Sequence, residues 1–272
     1  MTKEITYRLE PWLDQQIAMG RFGFSLVELK LAFPDQNDVA TKSTIRRQID
    51  KGKVISIYKG YYLILPPQFA GKGMLPSNLF LDGFMKFLNR PYYLGLLNAA
   101  ALHGASHQQP QENFVITNFP VLRTTNKSGL KINYISVKAV PEDLVDLKKT
   151  EAGYLKISNA ALTAVDLVQF EKRIGGINRA ATVINELSEV LSKESFDAAL
   201  IEYSHISSLQ RLGYILEYAC QRIDLADALF ESLKAKNINL FRIPLKSFVP
   251  AIGFSSDNRW KVIANTEIEI DD

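Results

Sequence analysis

The chain has 272 residues, which is enough for one large domain or two ordinary ones. About 47% of the residues are hydrophobic and 22% are charged, a composition that excludes a largely disordered protein. The net charge is +3, which is too small on its own to indicate a nucleic-acid-binding protein. The single cysteine, Cys220, excludes an intrachain disulfide and fits a reducing compartment. No signal-peptide core and no run of about 18 apolar residues is present, so we expect a cytoplasmic protein without a membrane-spanning helix.

Positive charge is concentrated near the N-terminus. Residues 1–75 contain eleven Lys and Arg against seven Asp and Glu, whereas residues 38–62 contain six against two. The six are Lys42, Arg46, Arg47, Lys51, Lys53 and Lys59. A solvated helix face would explain such a cluster as well as a nucleic-acid-binding surface would, so the surrounding pattern has to decide between them.

Two helices precede this basic cluster. Apolar residues at helical spacing predict the first helix over residues 8–19. The S-x-x-E pattern of Ser25 and Glu28 is a capping box and predicts the start of a second helix, which runs to about Phe33. Residues 34–37, Pro-Asp-Gln-Asn, are typical of a turn.

A third helix carries most of the basic residues. Thr41 is its expected N-cap and Gly52 marks its end. Ile45 and Ile49 are four residues apart, so both are expected to face a core. At about 100° per residue, Arg47 then points to the opposite, outer side.

Two apolar runs within residues 54–65 flank Lys59-Gly60 and predict a two-stranded hairpin. Three helices followed by a hairpin are typical of a winged helix-turn-helix, which we assign to residues 1–66. The expected DNA-binding residues are Lys42, Ser43, Thr44, Arg46, Arg47, Lys51 and Lys59. Arg47 is the first choice for reading a base edge, whereas Lys51 and Lys59 are expected to contact phosphates. A winged helix used only for protein contacts is the alternative.

The rest of the chain reads as a second domain. Residues 67–76 are rich in Pro and Gly and are taken as the linker, so that the C-terminal domain covers residues 77–272. Periodicity predicts helices over 77–89, 92–103 and 159–170, strands over 113–117, 130–137 and 153–157, helices over 177–191, 196–203, 206–222 and 225–234, and short strands over 240–243 and 260–264. The expected fold class is therefore α+β: an N-terminal winged helix-turn-helix plus a larger, mainly helical α/β C-terminal domain with a small sheet.

Catalytic and metal-binding patterns are weak. His103 and His107 are spaced as metal ligands on one helix face, but Gly104 stands in place of the glutamate of H-E-x-x-H and a third ligand is missing nearby. Phosphate-binding loops of the P-loop or dinucleotide type do not occur. We therefore expect no catalytic residues, no metal and no cofactor, and hence not an enzyme. A nucleic-acid-modifying enzyme that uses the winged helix for substrate delivery, or a protein-binding scaffold, remains the alternative.

Several segments resemble the AbiEi antitoxin family of type IV toxin–antitoxin, or abortive infection, systems. The resemblance rests on Ser43–Arg47, Lys51–Val54 and Lys59–Tyr62 in the first domain, and on Tyr92–Gly104, Ala164–Val168 and Leu209–Glu217 in the second. The helix and wing residues are generic to winged-helix proteins, whereas the segments of the second domain are more specific.

The resemblance implies a transcriptional autorepressor that binds operator repeats in the double-stranded DNA of its own operon. It also implies a C-terminal domain that counteracts a nucleotidyltransferase toxin without forming a stable complex with it, and hence a role in phage defence. Arg211, Tyr214 and Glu217 lie in the family-like helix and are a possible antitoxin surface. Ion pairing within the domain is the alternative explanation for Arg211 and Glu217.

Overall fold

The computed structural model describes residues 9–71, 73–105 and 110–270. The helices are α1 (Leu9–Ala18), α2 (Leu26–Ala32), α3 (Asp38–Asp50), α4 (Pro67–Ala70), α5 (Leu81–Phe87), α6 (Leu96–Leu102), α7 (Ala160–Gln169), α8 (Ile177–Leu187), α9 (Ala198–Tyr203), α10 (Ile206–Tyr214) and α11 (Ile223–Ala235). The strands are β1 (Gly23–Ser25), β2 (Val54–Tyr58), β3 (Tyr61–Ile64), β4 (Tyr92–Leu94), β5 (Asn113–Asn118), β6 (Thr125–Lys127), β7 (Leu130–Val137), β8 (Val145–Thr150), β9 (Gly153–Ser158), β10 (Ile243–Pro244) and β11 (Val262–Ile263). None of these helices combines the length and hydrophobicity that spanning a membrane requires.

The strands form one large and two small sheets. The large sheet has the order β6-β7-β5-β4-β9-β8, with β5 parallel and β6 antiparallel to β7. A three-stranded sheet has the order β1-β3-β2, and β10 pairs with β11. Helices combined with a sheet of mixed strand direction confirm the predicted α+β class.

Within the described ranges the chain divides into two compact units. The first contains the residues up to Tyr93 together with Gln111–Val140 and Leu147–Lys156, and the second contains the remainder. The predicted division into residues 1–66, 67–76 and 77–272 was drawn from composition and stays a prediction. The segment taken as the linker includes α4.

Capping groups set the start of the N-terminal helices. The predicted capping box of α2 is present: the Glu28 backbone N–H donates to Ser25 Oγ at 3.1 Å, and the Ser25 N–H donates to Glu28 Oε2 at 2.6 Å. The predicted N-cap of α3, Thr41, is wrong. Asn37 Oδ1 caps α3 by accepting from the Ala40 N–H at 2.8 Å, one turn earlier than expected. The asparagine was assigned to the preceding turn, where its side chain is equally favourable.

Of the two isoleucines of α3 that were expected to face the core, only Ile45 does so. Ile45 is 2% exposed and packs in a cluster with Leu13, Phe24 and Leu29, whereas Ile49 is 36% exposed. The buried positions of α3 are Thr41, Ile45 and Gln48, so the stripe that faces the core is shifted by one residue at its C-terminal end. The opposite face of α3 still faces solvent.

The predicted helix over residues 92–103 is wrong in its first turn. Tyr92–Leu94 form β4 inside the large sheet, and α6 begins only after Gly95, at Leu96, whose φ is +53°. A short and wholly buried apolar run fits a central strand as well as a buried helix, so periodicity could not separate the two. β6 and β8 were also missed because polar residues dominate both.

The predicted helix over residues 206–222 is broken. α10 ends at Tyr214 and continues as one π-helical turn over Ile215–Ala219, and α11 begins at Ile223. Gln221, with a φ of +55°, separates the two helices. Gln210 in α10 and Glu217 in the π-helical turn both hydrogen-bond to Trp260 of the C-terminal segment.

Candidate functional site

The outer face of α3 is polar and accessible. Lys42, Ser43, Arg46 and Arg47 are exposed, as the sequence predicted. Thr44 is half-buried and its hydroxyl donates to the Ala40 carbonyl at 2.9 Å, so that it is partly engaged by its own helix. Because Ile45 holds the opposite side, the two arginines lie on a surface fixed by the core.

Lys51 and Lys53 flank the end of α3 and share one carboxylate. Lys51 Nζ lies 2.7 Å from Glu10 Oε1, and Lys53 Nζ lies 3.5 Å from Glu10 Oε2. Hydrogen bonds from Lys51 and Gln48, together with the charges of both lysines, lower the pKa of Glu10 to about 2. A phosphate at Lys51 has to compete with this carboxylate, which the sequence alone did not reveal.

Lys59 lies at the turn of the β2–β3 hairpin and is exposed. The following residue, Gly60, has a φ of +82°, a conformation that glycine adopts without strain. The pairing register shifts between Ser56 and Tyr58, which bends the hairpin close to its tip. The predicted turn chemistry therefore sets the position of the lysine.

Sequence reasoning missed two cations beside this hairpin. Lys59 lines a cavity of about 520 Å³ together with Arg123 and with Lys127, which is the last residue of β6. Lys127 Nζ donates to Ser56 Oγ at 3.0 Å. Among the described residues that line this cavity none is acidic. No signal in the linear sequence links residues 123–127 to the hairpin, because the contact is formed only by the tertiary fold.

The three residues of the possible antitoxin surface are not equivalent. Glu217 Oε2 accepts hydrogen bonds from Arg259 Nε at 2.6 Å and from the Trp260 indole N–H at 2.7 Å, so that it is engaged within the fold. The expected ion pair therefore exists, but its partner is Arg259. Tyr214 stacks at a tilt on Tyr218 with ring centroids 4.7 Å apart, and burial raises the pKa of its hydroxyl.

Arg211 is half-buried and is held by neutral acceptors. Its Nε donates to the Pro244 carbonyl at 2.9 Å and its Nη2 donates to Ser247 Oγ at 3.1 Å. Burial lowers the pKa of the guanidinium, and the charge of Glu171 partly offsets this effect. Arg211 thus contacts the C-terminal segment through two of its N–H groups, and its other guanidinium N–H groups remain available to a ligand.

Groups of three or more His, Cys, Asp or Glu side chains suited to a metal ion do not occur in residues 9–71, 73–105 and 110–270. The His103 ring is engaged, since its Nε2 lies 2.8 Å from the Ser158 carbonyl and donates to it. His107, the second residue of the i, i+4 pair, lies outside the described residues. Burial raises the pKa of the Cys220 thiol to about 12, which leaves it uncharged and unreactive at neutral pH.

Comparisons with known proteins give a match for part of the chain and for the overall fold. The family model of the AbiEi antitoxin C-terminal domain matches residues 93–218. The crystal structure of the RV2827C protein from Mycobacterium tuberculosis is similar in fold, with a TM-score of 0.66 over 93% of this chain and 90% of that one. The two sequences are 14% identical, so this similarity concerns the fold alone. No curated protein matches the chain. The match over residues 93–218 confirms the resemblance to the AbiEi antitoxin family that is seen in the sequence.

Proposed function

We propose that this protein represses its own operon by binding operator DNA and is the antitoxin of a type IV toxin–antitoxin system. The antitoxin role follows from the AbiEi domain. The toxin is proposed to be a nucleotidyltransferase encoded next to it, counteracted without a stable complex. Both activities are regulatory, so no catalytic residue and no cofactor are assigned, and both belong in the cytoplasm.

The observation that carries the repressor proposal is the exposed cationic face of α3. A helix of 13 residues is about 20 Å long and fits the major groove, which is about 12 Å wide. Arg46 and Arg47 face solvent, and Ile45 fixes their side of the helix against the core. In this proposal α3 is the recognition helix of a winged helix-turn-helix and the β2–β3 hairpin is the wing.

The positive charges around the β2–β3 hairpin support its assignment as the wing. Lys59, Arg123 and Lys127 line one cavity and supply three positive charges without a lining carboxylate. Such a cluster suits phosphate oxygens along a DNA backbone, which fix the position of a protein but carry no base information. We therefore propose that base reading is done by α3, and phosphate binding by the wing with residues 123–127.

A DNA-binding titration separates these two roles. Fluorescence anisotropy with the promoter of the operon, at several salt concentrations, is expected to show a large loss for Arg47→Ala: about 5- to 150-fold, the equivalent of about 1–3 kcal/mol for a bidentate base contact. Lys59→Ala and Arg123→Ala are expected to weaken binding to all sequences alike, each lowering the salt slope by about 0.9. The matched control is Arg242→Ala, which removes an exposed arginine of the second unit.

The repressor proposal fails if the wild-type protein binds its promoter no more tightly than scrambled DNA. The assignment of base reading to Arg47 fails if its replacement weakens both DNAs equally. A winged helix used only for protein contacts would produce the first of these results.

The antitoxin proposal is tested in cells. Co-expression of the full chain with the neighbouring nucleotidyltransferase is expected to restore growth that the toxin alone arrests. Affinity purification of either protein is expected to recover it without its counterpart. Absence of rescue contradicts the proposal, whereas rescue with a stable complex contradicts its type IV assignment and favours a scaffold.

A further inference from the structure

A second cavity, of about 310 Å³, lies in the second unit beside Arg211. It is lined by the end of α7, by the 3₁₀ turn Glu171–Arg173 that follows it, by Arg211 on α10, and by Ser247 and Phe248. Its volume falls at the lower end of the range typical of small-molecule sites. Arg211 belongs to the possible antitoxin surface, but neither the family match nor the proposed DNA surface gives the cavity a ligand.

The charge of the lining is predominantly positive. Lys172, Arg173 and Arg211 face a single acidic residue, Glu171. In the described part of the chain no carboxylate lies within ion-pair distance of Arg211. Its two hydrogen bonds, to the Pro244 carbonyl and the Ser247 hydroxyl, use two of the five guanidinium donors.

A half-buried cation whose hydrogen-bond acceptors are all neutral is costly, and the charge of Glu171 offsets only part of this cost. An anion in the cavity would supply the missing charge and accept from the remaining donors. Planar guanidinium groups bind phosphate through two parallel hydrogen bonds, which makes phosphate the anion that suits Arg211 best. Lys172 and Arg173 add charge at the rim.

The rim also presents an aromatic ring. Phe248 is 88% exposed, and Lys172 Nζ lies 3.2 Å from the centroid of its ring. The φ of Phe248 is +68°, a left-handed conformation that is unusual for a bulky residue and strained. The backbone therefore holds the ring out of the core at the mouth of a cationic cavity. Lys172 covers one face of the ring, so a nucleobase would stack on the opposite face.

We propose that this cavity binds a free nucleotide, with its phosphates on Arg211, Lys172 and Arg173 and its base on Phe248. The inference rests on the proposed antitoxin function, because a nucleotide is the substrate that a nucleotidyltransferase toxin consumes. The limited volume suits one nucleotide better than a polymer. Occupancy of the site would couple the antitoxin domain to the substrate of its toxin.

Calorimetric titration of the purified full chain tests this proposal. The probes are ATP, GTP, CTP and UTP, with inorganic tripolyphosphate as the probe that lacks a base. At least one nucleotide is expected to bind in the millimolar range or tighter. Lys172→Ala is expected to weaken that binding about tenfold, because it removes one charge-assisted contact. Phe248→Ala is expected to weaken nucleotide binding while leaving tripolyphosphate binding unchanged.

The controls separate binding from folding. Arg211→Ala also removes the contacts to Pro244 and Ser247, so the exposed Lys172 and Phe248 variants carry the test. Arg242→Ala is expected to bind like the wild type. The proposal is overturned if none of the four nucleotides binds, if tripolyphosphate binds as tightly as the nucleotide, or if binding survives both Lys172→Ala and Phe248→Ala.

The calorimetric samples contain neither toxin nor DNA, so the result is independent of the growth assay. Rescue of growth by a protein that binds no nucleotide would remove this inference and leave the antitoxin proposal intact. Nucleotide binding by a protein that gives no rescue would leave the site intact and remove the antitoxin proposal.

Discussion

Gly213 in α10 is the position where one added methyl group is expected to do the most damage. A Cβ atom at this glycine would meet three ring atoms of Trp260, all closer than the 3.0 Å that real Cβ atoms keep. Trp260 is fully buried, so its ring has no solvent to move into. Gly213→Ala therefore forces the indole, the helix or both to shift.

The indole is held on several sides. Its N–H donates to Glu217 at 2.7 Å, the Trp260 carbonyl accepts from Gln210 at 2.5 Å, and Phe230 contacts the ring edge-to-face at 5.3 Å. Overpacking costs about 1–3 kcal/mol, and loss of the bond to charged Glu217 adds about 1.5–3 kcal/mol. Alanine recovers about 1 kcal/mol of helix propensity. The expected net loss in the free energy of unfolding is roughly 1.5–5 kcal/mol, equivalent to a Tm decrease of roughly 3–20 °C.

Urea unfolding followed by tryptophan fluorescence measures this loss. The chain has two tryptophans, so a Trp12→Phe background leaves Trp260 as the only reporter and places it beside the substitution. Gly71→Ala is the matched control, because its Cβ would meet nothing within 4 Å and its φ is −67°. A Gly213→Ala midpoint equal to or above that of its parent would refute the steric argument.

Three further substitutions or conditions test the N-terminal helices. Ile45→Ala is expected to destabilise the protein by about 2–5 kcal/mol in chemical denaturation, because the side chain is buried; a loss below about 1 kcal/mol would contradict its anchoring role. Asn37→Ala is expected to lower the free energy of unfolding by about 1 kcal/mol, because it removes the N-cap of α3; the measurement is the thermal midpoint. An unchanged midpoint would contradict the assignment of Asn37 as the N-cap. The stabilisation from Glu10, whose folded pKa is lower than its unfolded value of 4.5, is expected to be complete above about pH 4.5 and to be lost as the pH falls through about 2. Stability measured along this pH range should decline less steeply in Glu10→Gln than in the wild type, and parallel curves would show that the ion pairs contribute nothing.

Local chemistry made much of the fold predictable. The capping box at Ser25 and the turn at Lys59-Gly60 depend on neighbours in the chain, so both could be read from the sequence. The strand β7 alternates between buried and half-buried residues over its first five positions, which is also a local property. Tyr92–Leu94 could not be assigned in this way, because a central strand and a buried helix are both uniformly apolar.

The candidate sites also contain some features that depend on local sequence and others that depend on the whole fold. The exposure of Arg46 and Arg47 follows from helical geometry once Ile45 is buried, and the sequence was sufficient for it. The approach of Arg123 to the hairpin, and of Arg259 to Glu217, joins residues more than 40 positions apart. Such pairs depend on the whole fold, and one sequence carries no local trace of them.

The seating of Trp260 on α10 limits how this protein can be shortened. The family match stops at residue 218, yet the indole fills the notch above Gly213, and the Gln210 amide donates to backbone carbonyls of the C-terminal segment. A fragment cut at residue 218 would lose the indole together with Phe230, and it would leave the Gln210 amide and the Glu217 carboxylate without their hydrogen-bond partners on the C-terminal segment. A shortened protein that keeps this packing therefore has to include the segment that carries Phe230 and Trp260.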